Sequence, residues 1–161
     1  MRFTLRQGQP TDRDALLALE ARAFEGDRFN RRQLGHLLTR ANAATLVAVD
    51  ADDAVIGYAT LLFRRNSGTA RLYSFCVDPE RRGLGLGRRL LDAIEQVAVA
   101  RDAQRVLLEV RADNRVAMRL YRHTGYVAHR WLDDYYEDGC AAWRMDKSLD
   151  SDAPTEPVTE S

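Results

Sequence analysis

The sequence predicts a mixed α/β domain, a twisted sheet of about seven strands with four helices. Alternating apolar residues, typical of strands, give way repeatedly to apolar residues at helical spacing. Between residues 70 and 110 a strand, a glycine-rich loop, a helix and a second strand follow one another. This order is typical of a right-handed crossover, so part of the sheet should be parallel. A chain of 161 residues suits a single domain, which we place at residues 1–148.

Each element has a local signal. Strands are expected at residues 3–6, 45–49, 55–64, 70–77, 105–110, 126–131 and 141–145. Helices are expected from the apolar stripes that contain Leu16 and Leu19, Leu34 and Leu37, Leu90 and Ile94, and Ala117 and Leu120. Thr11, Asn30 and Asn114 have the chemistry of N-caps, and Gly125 stands where the last helix should end.

The charges cancel over the whole chain, with 24 basic and 24 acidic residues. This balance argues against a dedicated nucleic-acid binder, which would carry a basic excess. Residues 81–130, however, contain 11 basic and 5 acidic residues, whereas residues 131–161 contain 2 and 9. The basic segment therefore predicts an anionic binding partner, and the acidic segment a cationic one. Residues 149–161 are too polar to pack and are expected to form a disordered acidic tail.

The cysteine count and the hydropathy pattern favour a cytoplasmic protein. Cys76 and Cys140 are too few for a disulfide framework, which favours a reducing compartment. No stretch approaches the ~18 apolar residues of a membrane span, and residues 1–8 turn polar too early for a signal peptide. We expect no nucleic-acid or membrane partner, and either a monomer or a homodimer. No metal is assigned, because no ligand spacing relates the three histidines, His36, His123 and His129.

The most informative segment is a glycine loop that joins a strand to a helix. Gly83, Gly85 and Gly87 alternate directly before the helical stripe, with arginines on both sides. Glycine permits positive φ and close approach of a ligand, and the free N–H groups of a helix start bind anions. Arginine adds affinity for phosphate. The loop therefore predicts a pyrophosphate site, the structural alternative being a simple strand-to-helix turn.

Three kinds of glycine loop compete for this pattern. A nucleotide P-loop ends in Gly-Lys-Ser/Thr, and a dinucleotide fingerprint needs a glycine at position 88, which here is Arg88. The segment 82–87 instead meets the pattern Arg/Gln-x-x-Gly-x-Gly/Ala, and so resembles the coenzyme A loop of the GNAT N-acetyltransferases. The resemblance implies acetyl-CoA as co-substrate, held by Arg82, Gly83, Leu84, Gly85, Leu86, Gly87 and Arg88, by Asn114, and by the main chain of Phe75, Cys76 and Val77.

A second block narrows the resemblance within this superfamily. Residues 108–126 carry Leu-Glu-Val-Arg…Asn…Ala…Leu-Tyr…Gly-Tyr, which resembles the RimI-like ribosomal-protein-alanine acetyltransferases. The resemblance implies direct acetyl transfer, in a ternary complex, to the N-terminal α-amine of a protein. A lysine side chain or a small amine, such as a polyamine or aminoglycoside, is the alternative acceptor. A non-catalytic coenzyme A-binding module is a remoter alternative.

Acetyl transfer to an amine needs a base for the amine and an acid for the departing thiolate. Glu109 lies in an apolar strand, where loss of water could raise its pKa into the range of a base. The resemblance makes Glu109 the base, through water, and Tyr121 the acid. Their structural alternatives are a carboxylate paired with Arg111 or another arginine, and an amphipathic core tyrosine. Cys76 as a covalent nucleophile is disfavoured, because family members transfer directly.

Two loops are expected to bind the acceptor. In N-terminal acetyltransferases the loop between the first two helices and the final loop form the walls of the peptide groove, and residues 134–139 resemble that final loop. By this resemblance Tyr135 and Tyr136 pack on the first residues of the peptide, and Phe29 lies in the opposite wall. Glu25 is expected to hold or deprotonate the amine, although loop carboxylates are usually only solvated.

Overall fold

The computed structural model of the chain describes residues 2–24, 29–40 and 42–149. Within them the strands are β1 (Phe3–Gln7), β2 (Ala43–Asp50), β3 (Val55–Phe63), β4 (Thr69–Val77), β5 (Arg105–Arg111), β6 (Val127–Leu132) and β7 (Ala142–Ser148). The helices are α1 (Arg13–Ala23), α2 (Arg31–Thr39), α3 (Leu86–Ala100) and α4 (Arg115–His123). The expected fold class, a mixed α/β sheet of seven strands with four helices in a single domain, is confirmed.

The strands form one sheet in the order β1-β2-β3-β4-β5-β7-β6. All neighbours are antiparallel except β4 and β5, which are parallel. The crossover through α3 therefore produces the parallel pair that the sequence predicts.

β4 and β5 separate after a short paired region. Only Thr69–Arg71 pairs with Arg105–Leu107, although both strands continue beyond these residues. β4 also bulges at Tyr73, because Leu72 pairs with Leu61 while Ser74 pairs with Thr60. A bulge bends its strand and increases the local twist. The result is a gap at the centre of the sheet, in which main-chain groups of β4 that point away from β3 have no strand partner.

Apolar side chains bury both faces of the sheet. On one face, α3 and α4 pack on a cluster that includes Leu90, Ile94 and Leu108, all at most 1% exposed. On the other face, α1 and α2 pack on β2, β3 and β4 through residues such as Leu19 and Val47. Because successive side chains of a strand point to opposite faces, the side chains that border the central gap alternate between these two faces.

The helix caps follow the sequence with one exception. Asn30 and Asn114 cap α2 and α4, since their side chains accept hydrogen bonds from main-chain N–H groups of the first helical turn. The prediction of Thr11 as the first N-cap is wrong. A 3₁₀ turn at Pro10–Asp12 comes first, and the Asp12 carboxylate accepts from the Gln9 main chain at 2.8 Å while it pairs with Arg6.

Across residues 2–24, 29–40 and 42–149, none of the helices combines the length and the apolar character that crossing a membrane would require. The expected acidic tail, apart from residue 149, lies outside the described residues and stays a prediction.

Candidate active site

The glycine loop has the backbone conformation that an anion cradle needs. Gly83 and Gly85 have φ of +83° and +79°, and a Cβ atom on either would meet no atom within 4 Å. The backbone there is left-handed and open, a surface that a ligand could approach closely. Gly85 is the N-cap of α3, so the free N–H groups of the first helical turn follow at once. Gly87 has a different role, because a Cβ there would lie 3.4 Å from Leu120 of α4.

The side chains of the loop divide into exposed and buried positions. Arg82 and Arg88 are exposed, where their guanidinium groups can meet phosphates. Leu84 is 51% exposed, so its side chain is not part of the core. Leu86 is buried with Ala48 and Ile56, so only its main chain is available to a cofactor.

Phe75, Cys76 and Val77 form the end of β4 beside the central gap. Phe75 and Val77 contact the core under α3, whereas Cys76 is buried on the opposite face with Leu19 and Tyr58. Burial raises the pKa of the Cys76 thiol far above its ordinary value, and the charge of Glu20 adds to the effect. The side chain is therefore an inert thiol, and only its main-chain groups are available to a ligand in the gap.

Tyr121 approaches the gap from α4. Its ring makes edge contacts with Phe75 and Tyr126, at centroid distances of 6.0 and 5.6 Å. Burial raises the pKa of Tyr121 above its ordinary value, with a smaller contribution from Tyr136, so the hydroxyl stays protonated at neutral pH. No side chain or main chain in the described parts of the structure hydrogen-bonds to this hydroxyl. It is thus a proton donor without a protein acceptor.

Glu109 lies on the opposite face of β5. Leu108 and Val110 point into the core under α3 and α4, so alternation turns Glu109 toward the face of α1 and α2. Arg71 donates to Oε1 from Nε at 3.1 Å and from Nη2 at 2.7 Å, and Arg144 donates from Nε to Oε2 at 3.0 Å. The expected apolar surroundings are therefore wrong: two guanidinium groups hold a carboxylate whose side chain is only 6% exposed. The structural alternative of a carboxylate paired with an arginine is thus present, with Arg71 and Arg144 as the partners instead of Arg111.

The final loop brings two tyrosines to the same place. The Tyr135 hydroxyl accepts from Arg71 Nη2 at 3.3 Å, and the Tyr135 and Tyr136 rings meet at right angles with centroids 5.0 Å apart. Arg111 stacks on the Tyr136 ring at 4.9 Å and pairs with Asp138 at 2.6 Å, which fixes the loop against the end of β5.

A second aromatic wall lies across β4. Phe29 stacks on Tyr73 at a centroid distance of 5.4 Å, and Arg71 lies over the same Tyr73 ring. The main-chain N–H of Phe29 donates to the buried Glu20 at 3.1 Å, and Glu20 also accepts from the Tyr58 hydroxyl at 2.6 Å. Phe29 is thus anchored to the sheet at the start of α2. Glu25 lies outside the described residues, and its expected role stays a prediction.

Asn114 combines two functions without conflict. Its Oδ1 accepts the Ala117 main-chain N–H at 3.0 Å and so caps α4. Its side-chain NH2 makes no hydrogen bond with the described parts of the chain and is free to donate to a ligand. The geometry therefore fits the expected contact with the coenzyme.

Several residues of this site were not predicted from the sequence. Arg71 and Arg144, which hold Glu109, and Tyr73, which supports Phe29, belong to strands that the sequence did identify. A charged residue between apolar neighbours, such as Arg71 between Ala70 and Leu72, was the available signal. His, Cys, Asp and Glu side chains nowhere form a group of three suited to a metal within the ranges that the structure describes.

Comparison with known proteins identifies the family. Residues 13–126 match the acetyltransferase (GNAT) family, and the chain belongs to it. Acetyltransferases of this family use acetyl-CoA, so the protein is an acetyl-CoA-dependent N-acetyltransferase.

The chain is similar to two proteins in sequence and to a third in fold. An uncharacterised N-acetyltransferase of Methanocaldococcus jannaschii is 32% identical over 136 residues, which cover 84% of this chain and 85% of that protein. Mycothiol acetyltransferase of Clavibacter sepedonicus is 37% identical over 122 residues, 71% of this chain but 40% of that longer protein. The ribosomal-protein-S18-alanine N-acetyltransferase of Escherichia coli has the same fold, with a TM-score of 0.83, 22% identity and coverage of 98% and 100% of the two chains.

Proposed function

We propose that the protein transfers the acetyl group of acetyl-CoA directly to the N-terminal α-amine of a protein. The observation that carries this proposal is the placement of Glu109 and Tyr121 on opposite faces of the sheet at the same central gap. In a direct transfer a base takes a proton from the attacking amine and an acid protonates the departing thiolate, so both groups are needed beside the same carbonyl carbon. Aromatic walls suited to a peptide lie on the side of Glu109.

The coenzyme would be held by the open backbone at one end of the gap. Main-chain N–H groups of Gly83–Arg88 and the side chains of Arg82 and Arg88 would bind the pyrophosphate, and Leu84 would cover the apolar part of the cofactor. The free main-chain groups of Phe75–Val77 would pair with the pantetheine arm. Bound acetyl-CoA supplies the acetyl group as an activated thioester.

Glu109 and Tyr121 would carry out the two proton transfers from opposite faces of the sheet. Glu109 would take a proton from the amine through water, and Arg71 and Arg144 would hold the carboxylate in position for that step. A main-chain N–H in Phe75–Val77 would stabilise the negative charge that develops on the carbonyl oxygen. Tyr121, which keeps its proton at neutral pH, would donate it to the departing sulfur. Holding both reactants in the gap would supply much of the rate.

The acceptor would lie between the two aromatic walls. Tyr135 and Tyr136 would pack on the first peptide residues and hydrogen-bond to the peptide backbone, and Phe29 with Tyr73 would form the opposite wall. A peptide offers main-chain acceptors as well as donors to tyrosine hydroxyls, whereas a protonated polyamine offers donors alone. This pairing is why the proposal favours a peptide α-amine.

The test is a panel of acceptors assayed by release of the coenzyme A thiol. Short peptides with free N-termini, the same peptides with blocked N-termini but a free lysine, and small amines are compared by kcat/KM. The proposal expects the free N-terminal peptides to be the best acceptors. Faster turnover of the blocked lysine peptides or of a small amine would contradict it, and absence of turnover with every acceptor would favour a coenzyme-binding module.

A small-molecule acceptor is the second candidate. The 37% identity to mycothiol acetyltransferase favours it, and that identity exceeds the identity to the protein acetyltransferase of Escherichia coli. The small-amine arm of the same panel distinguishes the two candidates.

A further inference from the structure

The open sheet face around Glu109 carries more positive than negative charge. Arg71 of β4, Glu109 of β5, Arg144 of β7 and Arg130 of β6 lie side by side across four neighbouring strands, because Glu109 pairs with Arg144 and Arg144 pairs with Arg130. Directly paired residues on antiparallel strands point to the same face. We call Arg71, Arg144 and Arg130 the arginine row. A second carboxylate on this face, Asp146, is already paired with Arg105 and His129, so Glu109 is the carboxylate that pairs with the arginine row.

Glu109 uses only part of the hydrogen-bonding capacity of the row. Arg144 donates to it from Nε alone, and its two Nη atoms make no hydrogen bond within the described ranges. Arg71 donates from Nε and Nη2, which leaves Nη1 unused. Arg130 is exposed and has neither a hydrogen bond nor an ion pair among the residues that the structure describes. Several guanidinium donors thus remain free beside the candidate base.

The row is accessible to solvent, and Arg130 within it has no anionic partner among the described residues. The Arg71 and Arg144 side chains are 41% and 34% exposed, and α1 and α2 pack on β2, β3 and β4 rather than above the row. Like charges directly opposite each other, such as Arg130 and Arg144, destabilise a sheet. An anionic group bound there would relieve this repulsion and occupy the free donors with charge-assisted hydrogen bonds.

We propose that the acceptor carries a carboxylate close to its reacting amine, and that the arginine row binds this carboxylate. The inference deepens the proposed function and rests on it, because it assumes that the amine reaches Glu109. An extended chain advances roughly 3.5 Å per residue. An Asp or Glu at the first or second position of a peptide would therefore place its carboxylate over the row while the α-amine lies beside Glu109. The α-carboxylate of a free amino acid offers the same chemistry at shorter reach.

The test compares matched peptides that differ only in charge. The kcat/KM values for Ala-Glu-Ala-Ala and Ala-Gln-Ala-Ala are measured with the intact chain, together with the pair Glu-Ala-Ala-Ala and Gln-Ala-Ala-Ala. A charge-assisted contact with an arginine that is partly exposed should favour the Glu peptide of a pair by about tenfold. The preference should fall at high ionic strength, because the row is open to solvent.

Variants of the row separate recognition from a merely structural effect. Arg130→Gln and Arg144→Gln should each lower the Glu-to-Gln ratio toward one, whereas a structural defect would lower kcat/KM for both peptides equally. Arg130→Gln matters most, because Arg130 is exposed and unpaired in the described structure, so the variant should fold normally. Arg65→Gln, an exposed arginine in the turn between β3 and β4, is the matched control and should keep the wild-type ratio.

Other outcomes distinguish the inference from the function on which it rests. Equal turnover of the Glu and Gln peptides would overturn the arginine-row inference and leave the N-terminal proposal intact. Turnover of free alanine but of neither alaninamide nor any peptide would support the row and overturn the peptide acceptor. Faster turnover of spermidine than of every acceptor with a carboxylate would contradict both.

Discussion

The substitution Tyr121→Phe separates the chemical role of this tyrosine from its packing role. The change removes a hydroxyl that no described residue hydrogen-bonds and keeps the ring, which contacts Phe75 and Tyr126. Loss of a buried hydroxyl that lacks a protein partner should change the free energy of unfolding by less than about 1 kcal/mol. If the hydroxyl protonates the departing thiolate, kcat should nevertheless fall by about 10²-fold or more.

Tyr126→Phe is a matched control in direct contact with the first site. The Tyr126 hydroxyl donates to Glu95 at 2.8 Å, and Glu95 is 5% exposed with Lys147 as its other partner. Removing this bond to a buried carboxylate should cost about 1.5–3 kcal/mol. The two variants should therefore show opposite effects, since Tyr126→Phe should lose stability and keep kcat.

The assay pairs urea unfolding with steady-state kinetics for both variants on the best acceptor. At about 2–4 °C per kcal/mol for a chain of this size, thermal midpoints alone would separate the two. A Tyr121→Phe enzyme with kcat within twofold of wild type would refute the assignment of Tyr121 as the acid. A Tyr121→Phe enzyme as unstable as Tyr126→Phe would refute the claim that its hydroxyl has no structural partner.

Three further outcomes follow from the same geometry. Gly85→Ala should lower the free energy of unfolding by about 1 kcal/mol, because φ of +79° disfavours a Cβ atom. It should also raise the KM for acetyl-CoA at least tenfold. An unchanged KM would contradict the role of the glycine loop as an anion cradle. Glu109→Gln should lower kcat/KM for the best acceptor by about 10²-fold, and an unchanged kcat/KM would remove the role of base. Tyrosines of the unfolded chain ionise near pH 10, whereas burial raises the pKa of Tyr121 and Tyr126 in the folded state. Above pH 10 the folded state therefore holds more protons than the unfolded state, so the free energy of unfolding should be unchanged below pH 10 and should decline above it. Thermal unfolding measured from pH 8 to 11.5 checks this. A midpoint that stays constant up to pH 11.5 would contradict it.

Short sequence patterns predicted the positions of the strands and helices. The alternation of apolar residues and the glycine loop identified the strands and the start of α3, because backbone conformation there depends on neighbouring residues. The first N-cap was missed because Pro10 favours a 3₁₀ turn, after which Asp12 rather than Thr11 precedes the helix. A proline at the start of a helix thus moved the cap by one residue.

The environment of Glu109 could not be predicted in the same way. Its own strand is apolar, which suggested desolvation, but the groups that surround it come from β4 and β7, 38 and 35 residues away in sequence. Their approach depends on the strand order β4-β5-β7, which no local pattern specifies. Tyr135 also reaches the site through the strand order. Apart from the resemblance of its loop to a family loop, no local sequence pattern predicts its contact with Arg71.

Locating the acetyl group on a peptide with two competing amines distinguishes transfer to the α-amine from transfer to a side chain. A peptide with a free α-amine and an internal lysine is incubated with acetyl-CoA and the chain, and tandem mass spectrometry locates the acetyl group. We expect acetylation at the N-terminal α-amine, with rates that fall at least 10²-fold in Tyr121→Phe. Acetylation at the lysine side chain, with the α-amine unmodified, would contradict it.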